Sequence, residues 1–274
     1  MNTITVIWWS AGITSAVARK IALEKYPNSR IYYTETGASH PDNERFKKDC
    51  EKWYGKRIRT FKNKKGYKSP IDVIKKTGYV NGPDGARCTL ELKKEVRFMI
   101  EDWYKPSLFN NISIDRQIFG YEFEKKQINR AIRFLEQYPD AHAEFPLIEK
   151  GLNKNQCAAI LLNNEIALPT MYLLGYGNNN CIGCVKGGMG YWNKIRIDFP
   201  NEFNDMAKAE RVAGHSCIKG TFLDELEPTR GRETNIVTPE CDHFCNVEFA
   251  DMPDKDLEEI FTGKKSIEEL YNAN

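Results

Sequence analysis

Ile4-Thr5-Val6-Ile7-Trp8-Trp9 runs directly into Ser10-Ala11-Gly12-Ile13-Thr14-Ser15. The first six residues form a short β-branched and aromatic run, the kind that makes a strand buried on both faces. Beyond the turn, Ala16, Val17, Ala18, Ile21, Ala22 and Leu23 give one compact apolar helix face. A strand, a small-residue turn and a helix in this order aim unpaired backbone N–H groups at an anion. Small side chains let its oxygens approach the backbone, and Ser10, Thr14 and Ser15 add hydroxyl donors. The stretch therefore predicts an α/β sheet with a phosphate site at the start of the chain. An ordinary strand-to-helix turn has a similar composition. Two specific phosphate motifs are missing here: no Gly-Lys-Ser/Thr follows, and Gly-x-Gly-x-x-Gly is absent.

The first half keeps the same rhythm. Strands are predicted near 4–9, 30–34, 56–61 and 114–119, and helices near 14–25, 41–54, 70–76 and 89–103. This alternation predicts a parallel sheet covered by helices on both faces. Ligands of such sheets sit beyond the carboxyl ends of the strands, where Ser10 and Thr34-Glu35-Thr36-Gly37 would lie. Residues 152–164 read as a further helix. From Gly175 to Gly190, Gly, Asn and Cys accumulate. We place a division near 170, separating a nucleotide-binding domain (1–170) from a cysteine-rich region (171–274) with helices near 200–213 and 265–272.

The 274 residues, 41% of them apolar, suffice for one large domain or a domain with an appendage. No apolar run approaches the roughly 20 residues that cross a bilayer. The N-terminus lacks a basic segment and a cleavage site. These features predict a soluble, cytoplasmic protein with no membrane partner. A net charge of +2 does not by itself point to nucleic acid. Between Lys56 and Lys68, however, seven Lys and Arg residues occur with no acid among them. Such a run is either a solvated loop or an electrostatic footprint for phosphates or nucleic acid.

Eight cysteines are present. In a reducing compartment they point to metal binding or redox chemistry rather than to disulfides. Cys181-Ile182-Gly183-Cys184 lies in a Gly-rich turn, where two thiols two residues apart can face one metal. A thioredoxin-like redox pair is disfavoured, because the motif does not open a helix after an early strand. Further ligands are sought among Cys88, Cys217, Cys241 and Cys245, with His215 and His243 as nitrogen donors. Cys50 and Cys157 sit in amphipathic patterns and read as buried hydrophobes. Spacing alone suits either zinc or an iron–sulfur cluster.

In order along the chain, several segments resemble the phosphoadenosine phosphosulfate reductase family of the adenine nucleotide alpha-hydrolase (PP-loop) superfamily, in its phage and bacterial branch. Ser10-Ala11-Gly12-Ile13-Thr14-Ser15 stands where the superfamily has its Ser-Gly-Gly-x-Asp-Ser loop. Tyr33 to Gly37 with His40-Pro41-Asp42 resembles the segment near the adenosine. Arg87-Cys88 to Lys93 resembles a Cys-x-x-x-x-Lys stretch, and Gly120-Tyr121 with Asn129-Arg130-Ala131 a later Gly-x-Arg…Arg-Ala segment. Phe145 to Ile148, Tyr172 and Gly175-Tyr176 precede the Cys-x-x-Cys as in relatives.

The resemblance implies a Rossmann-like (HUP-type) sheet and an oxidoreductase or sulfurtransferase that binds ATP or an adenylyl sulfate. Ser10, Ala11, Gly12, Thr14 and Ser15 would hold phosphates or sulfate, Glu35 and Gly37 would lie near ribose or adenine, and Lys93 and Arg130 would be anion ligands. ATP-splitting members add Mg2+ and carry an aspartate where this chain has Thr14; sulfonucleotide reductases lack it. Glu240-Cys241-Asp242-His243 partly matches the reductases' nucleophile segment, which makes Cys241 the expected catalytic thiol or a cluster ligand. A 4Fe–4S cluster, with Zn2+ as the alternative, would use Cys88, Cys181, Cys184 and one of Cys217, Cys241 and Cys245. The tandem cysteine expected beside Cys88 is absent. Family habit further implies a homodimer and an electron- or sulfur-donor protein. Two other functions fit the same features. One is ATP-dependent sulfur insertion into tRNA or DNA, and the other is a non-catalytic nucleotide- and zinc-binding module.

Overall fold

The computed structural model describes residues 2–83, 85–107, 111–232, 237–239 and 253–261. Strands β1 (Asn2–Trp9), β2 (Arg30–Thr34), β3 (Ile58–Phe61), β4 (Ile112–Ile118) and β5 (Ala143–Glu144) form one sheet, ordered β3-β2-β1-β4-β5. Every neighbouring pair is parallel. Helices α1 (Ile13–Lys25), α2 (Asn43–Tyr54) and α3 (Pro70–Thr77) follow the first three strands. A short α4 (Arg87–Thr89), a π-helical turn (Leu90–Lys94) and α5 (Glu95–Trp103) lead into β4. Next come α6 (Lys125–Gln137), α7 (Pro146–Glu149), α8 (Lys154–Asn163), α9 (Thr170–Leu173), α10 (Met189–Asp198), α11 (Pro200–Ala213) and α12 (Asp254–Phe261). The sheet is the Rossmann-like arrangement expected from the β-α rhythm. Among the described residues, no helix is long and apolar enough to cross a membrane.

Strand periodicity explains why β1 is apolar without alternation from Val6 to Trp9. Trp9 packs with α1, α2 and α8 through Val17, Phe46 and Leu161. Val6 turns the other way, towards Val96 and Ile100 of α5. With both faces covered, alternation disappears from the sequence. The chain moves outward from β1 to β3, then returns to β4 on the other side of β1. That reversal opens a crevice at the carboxyl ends of β1 and β4. Gly120, just past β4, keeps the crevice narrow. A Cβ there would lie 2.6 Å from Ser15 Cα.

A second core joins Ile74, Val80 and Ala86 to Met171, Tyr176, Trp192, Ile195, Phe203 and Leu223. Residues 171–226 thus pack on α3 and the segment after it, so the packing is not divided at residue 170. Helix α10 starts at the end of the Gly-rich stretch and is held by Trp192 and Ile195, both fully buried. Two-residue β5 is too short for any periodicity to show. The helix expected near 265–272 falls outside the described residues.

Asp42 connects α2 to the segment before α9. Its carboxylate accepts from Arg45 Nε at 2.6 Å and from the Thr170 N–H at 2.9 Å. Arg45, with the Thr170 donor, holds its pKa well below the usual carboxylate range. A depressed folded pKa contributes stability that is fully present above the unfolded value near 3.9 and lost as pH falls below it. Asp42→Asn is expected to cost about 1–3 kcal/mol at pH 7. It should also flatten the acid limb of the stability profile below about pH 4. Urea melts from pH 3 to 7 check both; parallel profiles for the two proteins would contradict it.

Candidate nucleotide and thiol site

The loop after β1 is held in one shape from within. Ala11 is fully buried in the left-handed region, at φ 60°. The Ser15 hydroxyl donates to Gly12 O at 2.8 Å and accepts from the Ser10 N–H at 3.1 Å. Tyr172, from α9, accepts from the Ile13 N–H through its hydroxyl at 3.4 Å. Asn179 Nδ2 donates to Ala11 O and to Asn43 Oδ1, each at 2.7 Å. The N-cap residue Gly12 has no side chain to cap α1, and the first turn of the helix holds no acid. The positive end of the helix dipole therefore faces the crevice unneutralised.

A cavity of about 600 Å3 occupies this crevice. Ser10, Gly12, Thr14, Ser15, Lys93 and Arg130 all line it, so the tertiary structure brings these six expected residues to one wall. Ala11 lies beneath them. Glu35 is turned into its own loop, where it accepts from Gly37 N–H at 2.8 Å, Ser39 Oγ at 3.0 Å and Tyr33 OH at 3.0 Å. Gly37 serves a close backbone approach, since a Cβ there would lie 1.7 Å from Lys68 O. The β2 end instead presents Thr34, Thr36 and Ser39 to the cavity. Ser15 acts chiefly as a brace, which leaves Ser10 and Thr14 as the loop hydroxyls turned to the cavity.

Charge on the wall is one-sided. Lys93, Lys94, Arg97, Arg130, Arg133 and Lys186 line it, with Lys154 at the rim of Glu122. Glu122 is the one carboxylate among the described lining residues. It lies 3.3 Å from Lys154 Nζ, and burial pushes its pKa up against the pull of that cation. Such a wall suits a multiply charged anion. It offers a poor donor set for Mg2+, which takes carboxylate oxygens as its protein ligands. Arg130 lies over the Tyr121 ring at 4.3 Å, and Tyr121 stacks on Phe145 at 5.2 Å. Sequence reasoning missed Lys94, Arg97, Arg133, Lys154, Lys186, Tyr172 and Asn179. The i,i+3 spacing of Arg130 and Arg133 on one helix was a usable signal. The π-helical turn that brings Thr89, Lys93 and Lys94 to the same wall was not.

No protein-family model matches this chain, and no curated protein is significantly similar to it.

The Cys-x-x-Cys turn adjoins the same cavity. Cys181 lines it, with Sγ 2.9 Å from Thr36 Oγ1. The Ile182 N–H donates to Ala38 O at 2.8 Å, tying the turn to the loop after β2. Tyr191 closes it from behind, accepting from the Cys184 N–H at 2.9 Å and donating to Cys181 O at 3.1 Å. Cys88 and Cys217 belong to the same neighbourhood. Burial, then Cys184 and Cys181, pushes the Cys88 thiol up to about 11. Burial and Glu210 raise Cys217, with smaller contributions from Cys184 and Cys88. Fully buried Glu210 fixes that segment by accepting from the Cys217 and Leu223 N–H groups. Three separate segments thus bring four thiols into one neighbourhood. Among the described residues, no three His, Cys, Asp or Glu side chains are gathered tightly enough to hold one metal ion. A tetrahedral zinc with ~2.3 Å Zn–S bonds needs sulfurs about 3.8 Å apart. Cys50 and Cys157 are fully buried. Cys241 and Cys245 lie outside the described residues.

Proposed function

We propose that this chain is an adenine-nucleotide-binding enzyme of sulfur metabolism, of the sulfonucleotide-reductase type. What carries the reading is the cationic cavity over the acid-free first turn of α1, with a cysteine on its wall and its one described carboxylate already paired. The same wall favours an adenylyl sulfate over Mg2+-ATP, because little in it replaces the carboxylates that Mg2+ requires. Adenine as the base rests on the ordered resemblance of the segments from Ser10 to Tyr176.

In this function the N–H groups of the α1 turn, Lys93 and Arg130 bind the sulfate and phosphate oxygens. A thiolate attacks the sulfate sulfur, the S–O bond to the nucleotide phosphate breaks, and the nucleotide leaves with the electron pair. Lys93 and Arg130 offset the charge that develops on that leaving oxygen. A dithiol protein then reduces the thiosulfonate, is itself oxidised to a disulfide, and sulfite is released. Cys241 is the proposed nucleophile. Cys88, Cys181, Cys184 and Cys217 have the donor chemistry of a 4Fe–4S cluster, whose four irons would spread the thiolates wider than a single zinc does. When bound, such a cluster would supply redox and electrostatic chemistry beside the sulfate.

The test is anaerobic purification, followed by metal analysis and reaction with adenylyl sulfate and a dithiol. About four irons and four sulfides per chain are expected, with release of AMP and sulfite. Cys181→Ala and Cys184→Ala should lose the iron, and Cys157→Ala should keep it. One zinc, no sulfide and no AMP would favour a nucleotide- and zinc-binding module instead. Equal metal in all three variants would sink the ligand assignment.

A further inference from the structure

The strands carry a second basic feature at their opposite end. A groove of about 530 Å3 lies along the starts of β2 and β3, lined by Arg30, Lys47, Lys56, Arg57, Arg59 and Ser29 among others, with no carboxylate on its wall. None of the five cations makes an ion pair among the described residues. Three of them donate to neutral groups: Arg30 to Tyr104 OH, Lys47 to Thr60 Oγ1 and Lys56 to Pro27 O. Arg57, just before β3, and Arg59, within it, are both exposed.

Charged side chains on an edge strand commonly blunt strand-to-strand aggregation. That explains Arg57 and Arg59, but not what lies behind them. The Ser29 hydroxyl, 1% exposed on the groove wall, has no hydrogen-bond partner. Arg19 of α1 is wholly buried, and among the described residues no group accepts from its three guanidinium nitrogens. It lies over the Tyr54 ring at 5.1 Å. Burial, and after it the Arg19 charge, lowers the Lys56 pKa. A buried guanidinium without an acceptor is strongly unfavourable unless an anion compensates its charge.

We propose that this groove is a second anion site, separate from the nucleotide cavity, that takes a chain of phosphate groups. The volume exceeds what one oxyanion fills, and the five cations along the groove call for repeated negative charge. A polynucleotide backbone and a free polyphosphate share that chemistry.

Two probes separate the sources: a fluorescent single-stranded oligonucleotide read by anisotropy, and inorganic tripolyphosphate read by thermal melting. Arg57→Glu with Arg59→Glu, both exposed, should weaken binding of the effective probe by about ten-fold or more. Lys93→Ala, in the nucleotide cavity, should leave that binding unchanged. Oligonucleotide binding without a tripolyphosphate effect identifies a polynucleotide; the reverse identifies a polyphosphate. Either result supports the site. Wild type that binds neither probe overturns it, as does equal binding by the double variant or loss in Lys93→Ala alone. Because the groove and the cavity are read by different variants, failure here leaves the sulfonucleotide function to its own test.

Discussion

Gly120→Ala is expected to destabilise the protein by about 3 kcal/mol or more and to disable anion binding in the fraction that still folds. The added methyl carbon would meet Ser15 Cα at 2.6 Å and Ser15 N at 2.9 Å. Both are backbone atoms of the first turn of α1, so no flexible side chain can swing aside. Relief requires β4 and α1 to separate. That movement would break the Ser10–Ser15–Gly12 brace, which gives the loop after β1 its shape. Chemical denaturation gives the stability, and titration with adenylyl sulfate under native conditions gives the affinity. An unchanged midpoint together with an unchanged Kd would show that the loop and the strand end are not coupled in this way.

Lys93→Ala combined with Arg130→Ala should weaken adenylyl sulfate binding by roughly 100-fold or more, since each charge-assisted contact contributes about 1.5–3 kcal/mol. Fold stability should not fall. Neither residue makes an ion pair among the described residues, and both sit on a wall crowded with like charge. Removing them should leave the melting temperature level or slightly higher, and should weaken the salt dependence of binding. Ser15→Ala is the informative contrast. Ser15 braces the loop from inside, so its loss should lower stability as well as affinity. A double variant that binds adenylyl sulfate as wild type does would move the ligand to another part of the cavity.

Local signals made much of this site legible in advance. Ser10 to Ser15 announces a turn because its residues are small and sit between a buried strand and an apolar helix face. Cys181 and Cys184 announce a paired thiol site through their spacing alone. Glu35 was misleading. A carboxylate at a strand end looks like a ligand contact, but a nearby N–H and two hydroxyls, from Gly37, Ser39 and Tyr33, already occupy it. Nothing in a linear pattern shows whether such donors fold back. Lys186 and Lys154 were invisible for the opposite reason, since each joins the wall from a distant segment.

By itself, the sequence determined the parallel α/β sheet, the place of the small-residue turn after β1 and the identity of the thiol-bearing segments. Those features depend on periodicity and on neighbours in the chain, which sequence records directly. Tertiary structure alone decided that Cys88, Cys184 and Cys217 share one neighbourhood, that Asn179 and Tyr172 hold the loop after β1, and that Arg19 is buried over the Tyr54 ring. Each is an encounter between segments far apart in the chain. Such encounters are set by how helices pack on a twisted sheet, and residue spacing carries no record of that packing.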